Sequence, residues 1–240
     1  MQPRKQYNSI SFKISVLVAV ATFVMVTLLI TYSVSRLRRT EIDAAQANAL
    51  ALARDYSGRL KATIEVPLDA SRTFAAALLS TRDREWKSSL SREDVNGLLK
   101  NFIARDTAIL GAYTLWEPNA FDGRDSLYAG TAGHDGTGRF IPYWVRTNGK
   151  IALEPLVDYQ TEGAGNYYLL PKRTGQETVV DPYLYPVGGK QVLMMSLTTP
   201  ILYQGQFLGI TGADISLEWL QAMLDESRAD IFNGTGQLSI

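Results

Sequence analysis

Apolar and polar positions follow three different rhythms along this chain, and each predicts a different kind of element. From Ile14 to Ser35 the run "ISVLVAVATFVMVTLLITYSVS" passes through 22 residues without a charge. At about 1.5 Å per residue that is enough to cross a hydrocarbon core of about 30 Å. A transmembrane helix over residues 14–35 is predicted, with a short N-terminal segment, 1–13, on one side. Arg36, Arg38 and Arg39 follow the run where a small-residue cleavage site would otherwise stand, which favours an anchor over a cleaved signal peptide. Arg4, Lys5 and Lys13 nearly balance those arginines, so the charge rule sets no orientation.

The second rhythm has steps of three and four. Ile42, Ala45, Ala49, Leu52, Tyr56, Leu60 and Ile64 mark one stripe of an amphipathic helix. The stalk helix predicted over 36–80 is expected to kink at Pro67, because proline removes one hydrogen bond and clashes one turn back. A second helix is announced by "SREDVNGLLKNFIARD". There Ser91 and Asp94 have capping-box spacing, and Val95, Leu98, Leu99 and Phe102 form the buried stripe.

After residue 108 the steps shorten to two, broken by glycine-, asparagine- and aspartate-rich turns. Strands are predicted over Leu110 to Trp116, Phe140 to Thr147, Val192 to Leu202 and Gln206 to Ile215. The last two are joined at Gln204 and Gly205 into an antiparallel hairpin. Helices followed by an antiparallel sheet predict an α+β domain. The irregular segment "NAFDGRDSLYAGTAGHDGTG" is too long for a mere connection and is expected to fold over a site.

Composition narrows the function. With 24 basic and 24 acidic side chains there is no charge excess to attract nucleic acid, so no nucleic-acid partner is expected. The absence of cysteine removes disulfides, thiolate zinc sites and a cysteine nucleophile. Gly136 and Gly138 precede a strand and do not open a helix, which makes a turn, not a phosphate loop. His134, the single histidine, has no partner at metal-ligand spacing and is expected as an exposed loop residue. No nucleophile–base constellation can be assembled from neighbouring residues. A non-enzymatic protein is therefore expected, with no metal and no cofactor.

The aromatic residues offer more. Trp116, Phe140, Tyr143, Trp144, Tyr159, Tyr167, Tyr168, Tyr183 and Tyr185 crowd one region and are interleaved with Arg139, Arg146, Asp158 and Asp181. Much of this is core, but an apolar pocket with a few aimed polar groups is also what a small-molecule site requires. Alternation sets Trp144 and Arg146 on one face of their strand and Tyr143 on the other, and it groups Ile210, Gly212 and Asp214. Arg146 and Asp214 fit either ligand-binding groups or structural ion-pair and turn roles. The candidate ligand-binding set is Trp116, Phe140, Tyr143, Trp144, Arg146, Tyr167, Tyr183 and Asp214.

The apolar anchor, the long helix, and the blocks "WEPNAFDGRD", "GRFIPYWVR", "DYQTEGAGNYYLLPK", "DPYLYPVGGK" and "TTPILYQGQFLGITGADISL", in that order, resemble the periplasmic double Cache sensor domain of bacterial methyl-accepting chemotaxis proteins. The resemblance implies a PAS-like membrane-distal ligand-binding module over 81–230 and the start of a membrane-proximal module at 231–240, the chain being the N-terminal portion of a larger receptor. It implies a cytoplasmic N-terminus, a sensor in the periplasm on the inner membrane, and a homodimer. Ligand contacts are implied on the strands and facing loops of the distal module. Asp214 in "GADISL" matches the aspartate that holds an amine in the amino-acid-binding branch. Pro142 and Tyr143 stand where that branch's Arg-x-Trp-Tyr series would run, so an amine, a purine-like heterocycle or another small polar metabolite is expected on an equal footing with an amino acid. The same sensor on a histidine kinase or diguanylate cyclase, and a membrane-anchored enzyme or structural protein, are the alternatives.

Overall fold

The computed structural model describes residues 10–80 and 90–230. The N-terminal segment up to residue 9 and the predicted start of a proximal module at 231–240 lie outside the described residues. The chain divides into two compact units, residues 1–57 and 58–240.

In the first unit the described residues belong to helix α1 (Ile10–Leu79). This helix is long and apolar enough to cross a membrane, and none of its most apolar stretch is buried. Its threonines carry no unpaired hydroxyls into that stretch. Thr22, Thr27 and Thr31 each donate at 2.8 Å to the carbonyl four residues back, on Val18, Phe23 and Thr27, the arrangement that lets a hydroxyl sit in a medium without water.

The second unit begins within α1, which remains helical through Pro67. Helix α2 (Arg92–Arg105) starts as its sequence predicts. The Ser91 side chain accepts from the Asp94 amide, and the Asp94 carboxylate accepts from the Ser91 amide at 2.9 Å. The Ser91 amide, and the Ser91 hydroxyl at 2.8 Å, both donate to the Asp94 carboxylate and hold it below its ordinary range. Six strands follow: β1 (Ile109–Trp116), β2 (Pro142–Thr147), β3 (Lys150–Pro155), β4 (Thr178–Val187), β5 (Lys190–Tyr203) and β6 (Gln206–Ser216). Helix α3 (Asn166–Thr174) lies between β3 and β4 in sequence, and α4 (Glu218–Asp230) follows β6. All pairings are antiparallel, in the order β3-β2-β1-β6-β5-β4.

Three hairpins close on two-residue turns with both central residues in the left-handed region: Asn148-Gly149, Gly188-Gly189 and Gln204-Gly205. This is the turn whose twist matches that of the strands. The edge strand β4 carries Pro182 and Pro186, and the other edge, β3, is short and flanked by Lys150, Glu154 and Pro155. Proline and charge are tolerated at edges because no further strand needs those amides.

Period two divides the core. On one face Ile109, Ala112, Trp116, Ile201, Leu208 and Ala213 pack with Ala75 and Leu78 of α1 and Val95, Leu99 and Ile103 of α2. Phe74 and Phe102 meet edge to face, 5.3 Å between ring centroids. On the other face Tyr113, Tyr143, Val145, Met194 and Ile210 pack with Leu156, Tyr167 and Tyr168. Ser71 of α1 is buried and donates to the Thr211 carbonyl of β6 at 2.9 Å.

The long segment between β1 and β2 touches this second face through Asp135, which accepts from the Tyr159 hydroxyl at 2.9 Å. It is clasped to α2 by Arg92, which donates to Asp122 at 2.7 and 3.0 Å, to Asp125 at 2.6 Å and to the Gly138 carbonyl at 3.0 Å. Gly138 is in the left-handed region, and a Cβ there would overlap the Asp125 carbonyl, so a glycine is required. His134 is not exposed. Only 7% of it is accessible, with its ring stacked on Tyr128 and near Phe140 at centroid distances of 5.0 and 5.4 Å. Burial lowers its pKa, so it packs as a neutral aromatic ring.

Candidate functional site

The chemistry of the module gathers on the face of the sheet opposite α1 and α2. Asp214 on β6 is 2% exposed and sits across the sheet from Gly111 on β1 and Ser196 on β5. The Ser196 hydroxyl donates to Asp214 Oδ1 at 2.5 Å and is itself 2.7 Å from the Tyr183 hydroxyl. Four tyrosines form a closed ring, Tyr113–Tyr143–Tyr185–Tyr167, with centroid spacings of 5.9, 5.8, 5.9 and 5.7 Å and every pair edge to face. Tyr183 adds a fifth member at 6.0 Å from Tyr185.

Glycine makes this crowding possible. A Cβ on Gly111 would collide with the Tyr143 ring, and one on Gly212 with the Tyr113 ring. Both rings therefore lie down over the strands beside the carboxylate. Helix α3 and the segment before it close the cage from above. The Tyr167 hydroxyl donates to the Val157 carbonyl at 2.7 Å, and the Val157 amide donates to the Tyr185 hydroxyl at 2.9 Å. A charged cluster fastens α3 further along. Glu117 receives Arg139 at 3.0 Å, Lys172 at 3.0 Å and the Tyr168 hydroxyl, and Arg139 also donates to Tyr168 at 3.0 Å.

The electrostatics of the cage are unusual because the carboxylate lacks a cation. No ion pair involves Asp214 among the described residues. Burial pushes its pKa up to about 7, only partly opposed by the hydrogen bond from Ser196 and the nearby Tyr143 hydroxyl. The same burial, reinforced by the Asp214 charge, raises Tyr113, Tyr143 and Tyr183 above the usual phenol range. The Tyr113 and Tyr143 hydroxyls approach Ser196 and Asp214, but neither closes a hydrogen bond of ordinary geometry. Two buried donors and one buried carboxylate thus converge on one point.

Of the residues singled out in the sequence, Tyr143, Tyr167, Tyr183 and Asp214 are brought together here. Trp116, Phe140, Trp144 and Arg146 are not, because period two turns them to the α2 side of the sheet. The Trp144 indole donates to Asn96 at 2.8 Å, and Arg146 donates to the Ile103 carbonyl at 2.6 Å. Trp116 and Phe140 pack on Phe121 at centroid distances of 5.0 and 4.9 Å. Tyr113, Tyr185 and Ser196 complete the cage and were not among the candidates. Alternation from Tyr143 and Asp214 could have found Tyr113. Ser196 could not be found that way, since a bulge near Leu202 shifts the hairpin register and turns Ser196, not Met195, toward Asp214. Replacing Trp144 by Phe removes its hydrogen bond to Asn96. It should cost about 1 kcal/mol in urea unfolding and leave ligand affinity within about twofold, which corresponds to under 0.5 kcal/mol.

A single antiparallel sheet with a long helix across one face and a tyrosine-lined carboxylate cage on the other defines a PAS-like sensor module. Residues 95–222 match the family described as methyl-accepting chemotaxis protein-like, first PDC sensor domain. The chain belongs to that family. It is 30% identical over 261 aligned residues to the methyl-accepting chemotaxis protein TlpQ of Pseudomonas aeruginosa, covering 97% of this chain and 36% of that protein. Among solved structures it is similar to the extracellular domain of mmHK1S-Z3, described as a histidine kinase, with 33% identity, a TM-score of 0.67, and 76% of this chain and 62% of that one covered. It is also similar to methyl-accepting chemotaxis protein X, with 27% identity, a TM-score of 0.62, and 84% and 71% covered. The chain thus spans about a third of the curated relative's length.

Proposed function

We propose that this chain carries the extracytoplasmic ligand-sensing input domain of a transmembrane chemoreceptor, anchored by the apolar part of α1, and that its ligand is a compact cationic amine held by Asp214 inside the tyrosine ring. The observation that carries the reading is the buried carboxylate with no cation beside it. An isolated ionised carboxylate is costly in an apolar interior unless a cation pairs with it. Rings presenting π-electron density around such a point favour an ammonium group over a neutral or anionic ligand. Among the described residues no basic side chain is paired with the cage to hold a ligand carboxylate, which argues for amines over α-amino acids and organic acids. A conformational output then requires that the ligand bind the two states of the module with different affinity.

The family and the similarity to TlpQ support chemotaxis as the output, with the sensor in the periplasm. The similarity to mmHK1S-Z3 supports a second reading, in which the same module feeds a histidine kinase. The coding sequence downstream of Ile240 separates them. A homodimer formed along the amphipathic stripe of the stalk helix, residues 36–80, would give periodic cross-linking of single cysteines placed along residues 40–60 in membranes.

The full chain in lipid nanodiscs should be screened by thermal shift with methylamine, propylamine, 1,3-diaminopropane, glycine, alanine, adenine, succinate and acetate. Amines are expected to raise the melting temperature, while acids and adenine leave it unchanged. Stabilisation by the acids alone, or by no amine, would overturn the amine assignment. Arg146→Ala should bind the amine as wild type does, since its guanidinium serves the C-terminal end of α2 on the opposite face.

A further inference from the structure

We propose that in the absence of ligand Asp214 stores a proton and that an entering ammonium displaces it, so that sensing is a one-for-one exchange of ligand cation for proton. This rests on the amine reading of the site and adds its regulation by pH.

The geometry carries the inference. Among the described residues the groups that act on Asp214 or feel its charge are neutral hydroxyls and rings: Ser196 from β5, Tyr143 from β2, Tyr113 from β1 and Tyr183 and Tyr185 from β4, with Tyr167 of α3 packed on Tyr113 and Tyr185. A further carboxylate, Asp158, reaches the Tyr185 end of the cage with its field. Burial holds the surrounding tyrosines neutral, above their ordinary range, so none can supply or absorb the charge. With Asp214 2% exposed and in no ion pair among the described residues, the least costly state of the carboxylate is the protonated one. Oδ1 accepts from Ser196, which leaves Oδ2 to carry the proton.

Binding then balances simply. The ligand enters as an ammonium ion, the O–H bond of the Asp214 carboxylic acid breaks, and its proton leaves to solvent. The carboxylate and the ammonium remain as an ion pair. The net charge inside the cage is zero before and after, which avoids the cost of burying an unpaired charge at either stage. Ligand affinity must consequently fall about tenfold for each pH unit below the midpoint of Asp214 and become independent of pH above it. A chain of hydroxyls, Tyr183 to Ser196 to Asp214, makes Ser196 the positioning residue that tunes this midpoint. Its hydrogen bond favours the ionised form, so Ser196→Ala should move the midpoint to higher pH.

The test uses the full chain in nanodiscs and two measurements. Infrared spectra of the empty protein at about pH 5.5 should show the carbonyl band of a protonated carboxylic acid that is missing from Asp214→Asn and fades as pH rises through the midpoint. Calorimetry with methylamine, propylamine and 1,3-diaminopropane, in acetate and in MES at about pH 5.5 and in pyrophosphate and in borate at about pH 8.5, should show about one proton released per bound amine at the lower pH and none at the higher. An amine that binds without releasing a proton at the lower pH, or an empty site with no protonated band, overturns the exchange and leaves the amine reading standing. If none of the three amines binds, the amine reading fails and the exchange fails with it. Should Asp214→Asn not fold, Ser196→Ala decides. An upward shift of the infrared midpoint, with amine affinity lowered at about pH 5.5 and recovered at high pH, supports the exchange, and an unchanged midpoint overturns it.

Discussion

Asp214→Asn is expected to lower amine affinity by roughly a hundredfold or more while making the unliganded protein more stable above pH 7. Loss of binding follows from removing one member of a buried ion pair, which costs about 3–5 kcal/mol. The gain in stability has the opposite origin. The Asp214 pKa is raised from 3.8 to about 7 in the folded state, so the folded protein holds a proton that the unfolded chain has already released between those values. Stability from this group is complete below the unfolded pKa and is lost as pH rises through about 7. At pH 8 the deficit is on the order of 4 kcal/mol. Asparagine keeps the shape, still accepts from Ser196, and carries no charge at any pH. Asp94, Asp122 and Asp135 have lowered pKa values and act with the opposite sign, losing their contributions in more acidic solution. The difference between wild type and Asp214→Asn therefore isolates Asp214. Urea midpoints measured from pH 4 to pH 9 should converge at the acid end, draw apart as pH rises from about 4 to about 7 and keep a constant separation above that, with the variant the more stable. Parallel curves would show that Asp214 is not held protonated.

Arg92→Ala carries the largest expected loss of stability. Its side chain is 1% exposed and supports Asp125, 7% exposed, and Asp122, 27% exposed. Its guanidinium also lies 4.2 Å from the Tyr128 ring centroid and 5.1 Å from that of Phe140. Removing it leaves the Asp125 carboxylate buried without its cation and frees the long segment after β1 from α2. A cost of about 3–5 kcal/mol is expected, a drop of roughly 10 °C in melting temperature for a domain of this size. The double variant Arg92→Ala, Asp125→Asn should recover part of it, because the second change removes the stranded charge. A loss under about 1 kcal/mol would put the clasp in the class of surface ion pairs.

These two residues also show what the sequence does and does not disclose. The capping box at Ser91 and Asp94, the period-two strands and the Gln204-Gly205 turn are local signals, and the structure has each of them. Asp214 stands out because alternation groups it with Gly212. Strand β3 and the Asn148-Gly149 turn were equally local and were passed over, although Asn-Gly between two extended runs is a strong hairpin signal. Strand β4 and helix α3 were obscured by Pro182, Pro186 and Pro171, residues that count against strand and helix in any short window. The tyrosine ring was beyond reach for another reason. It joins three strands and a helix, so its closure depends on sheet order and on the bulge near Leu202, neither of which a window along the chain contains. Arg92 was unreadable for the same cause, since its partners lie about thirty residues away.

The prolines of β4 have a further effect. A sheet with two free margins is a template on which identical chains can stack, and protein held at high concentration against a membrane is especially exposed to that hazard. Pro182 and Pro186 withhold two donors from one margin, and the short, charged β3 offers little length on the other. Soluble forms of this module should accordingly stay dispersed when concentrated, and replacing both prolines by valine should seed fibrils long before it alters what the cage binds.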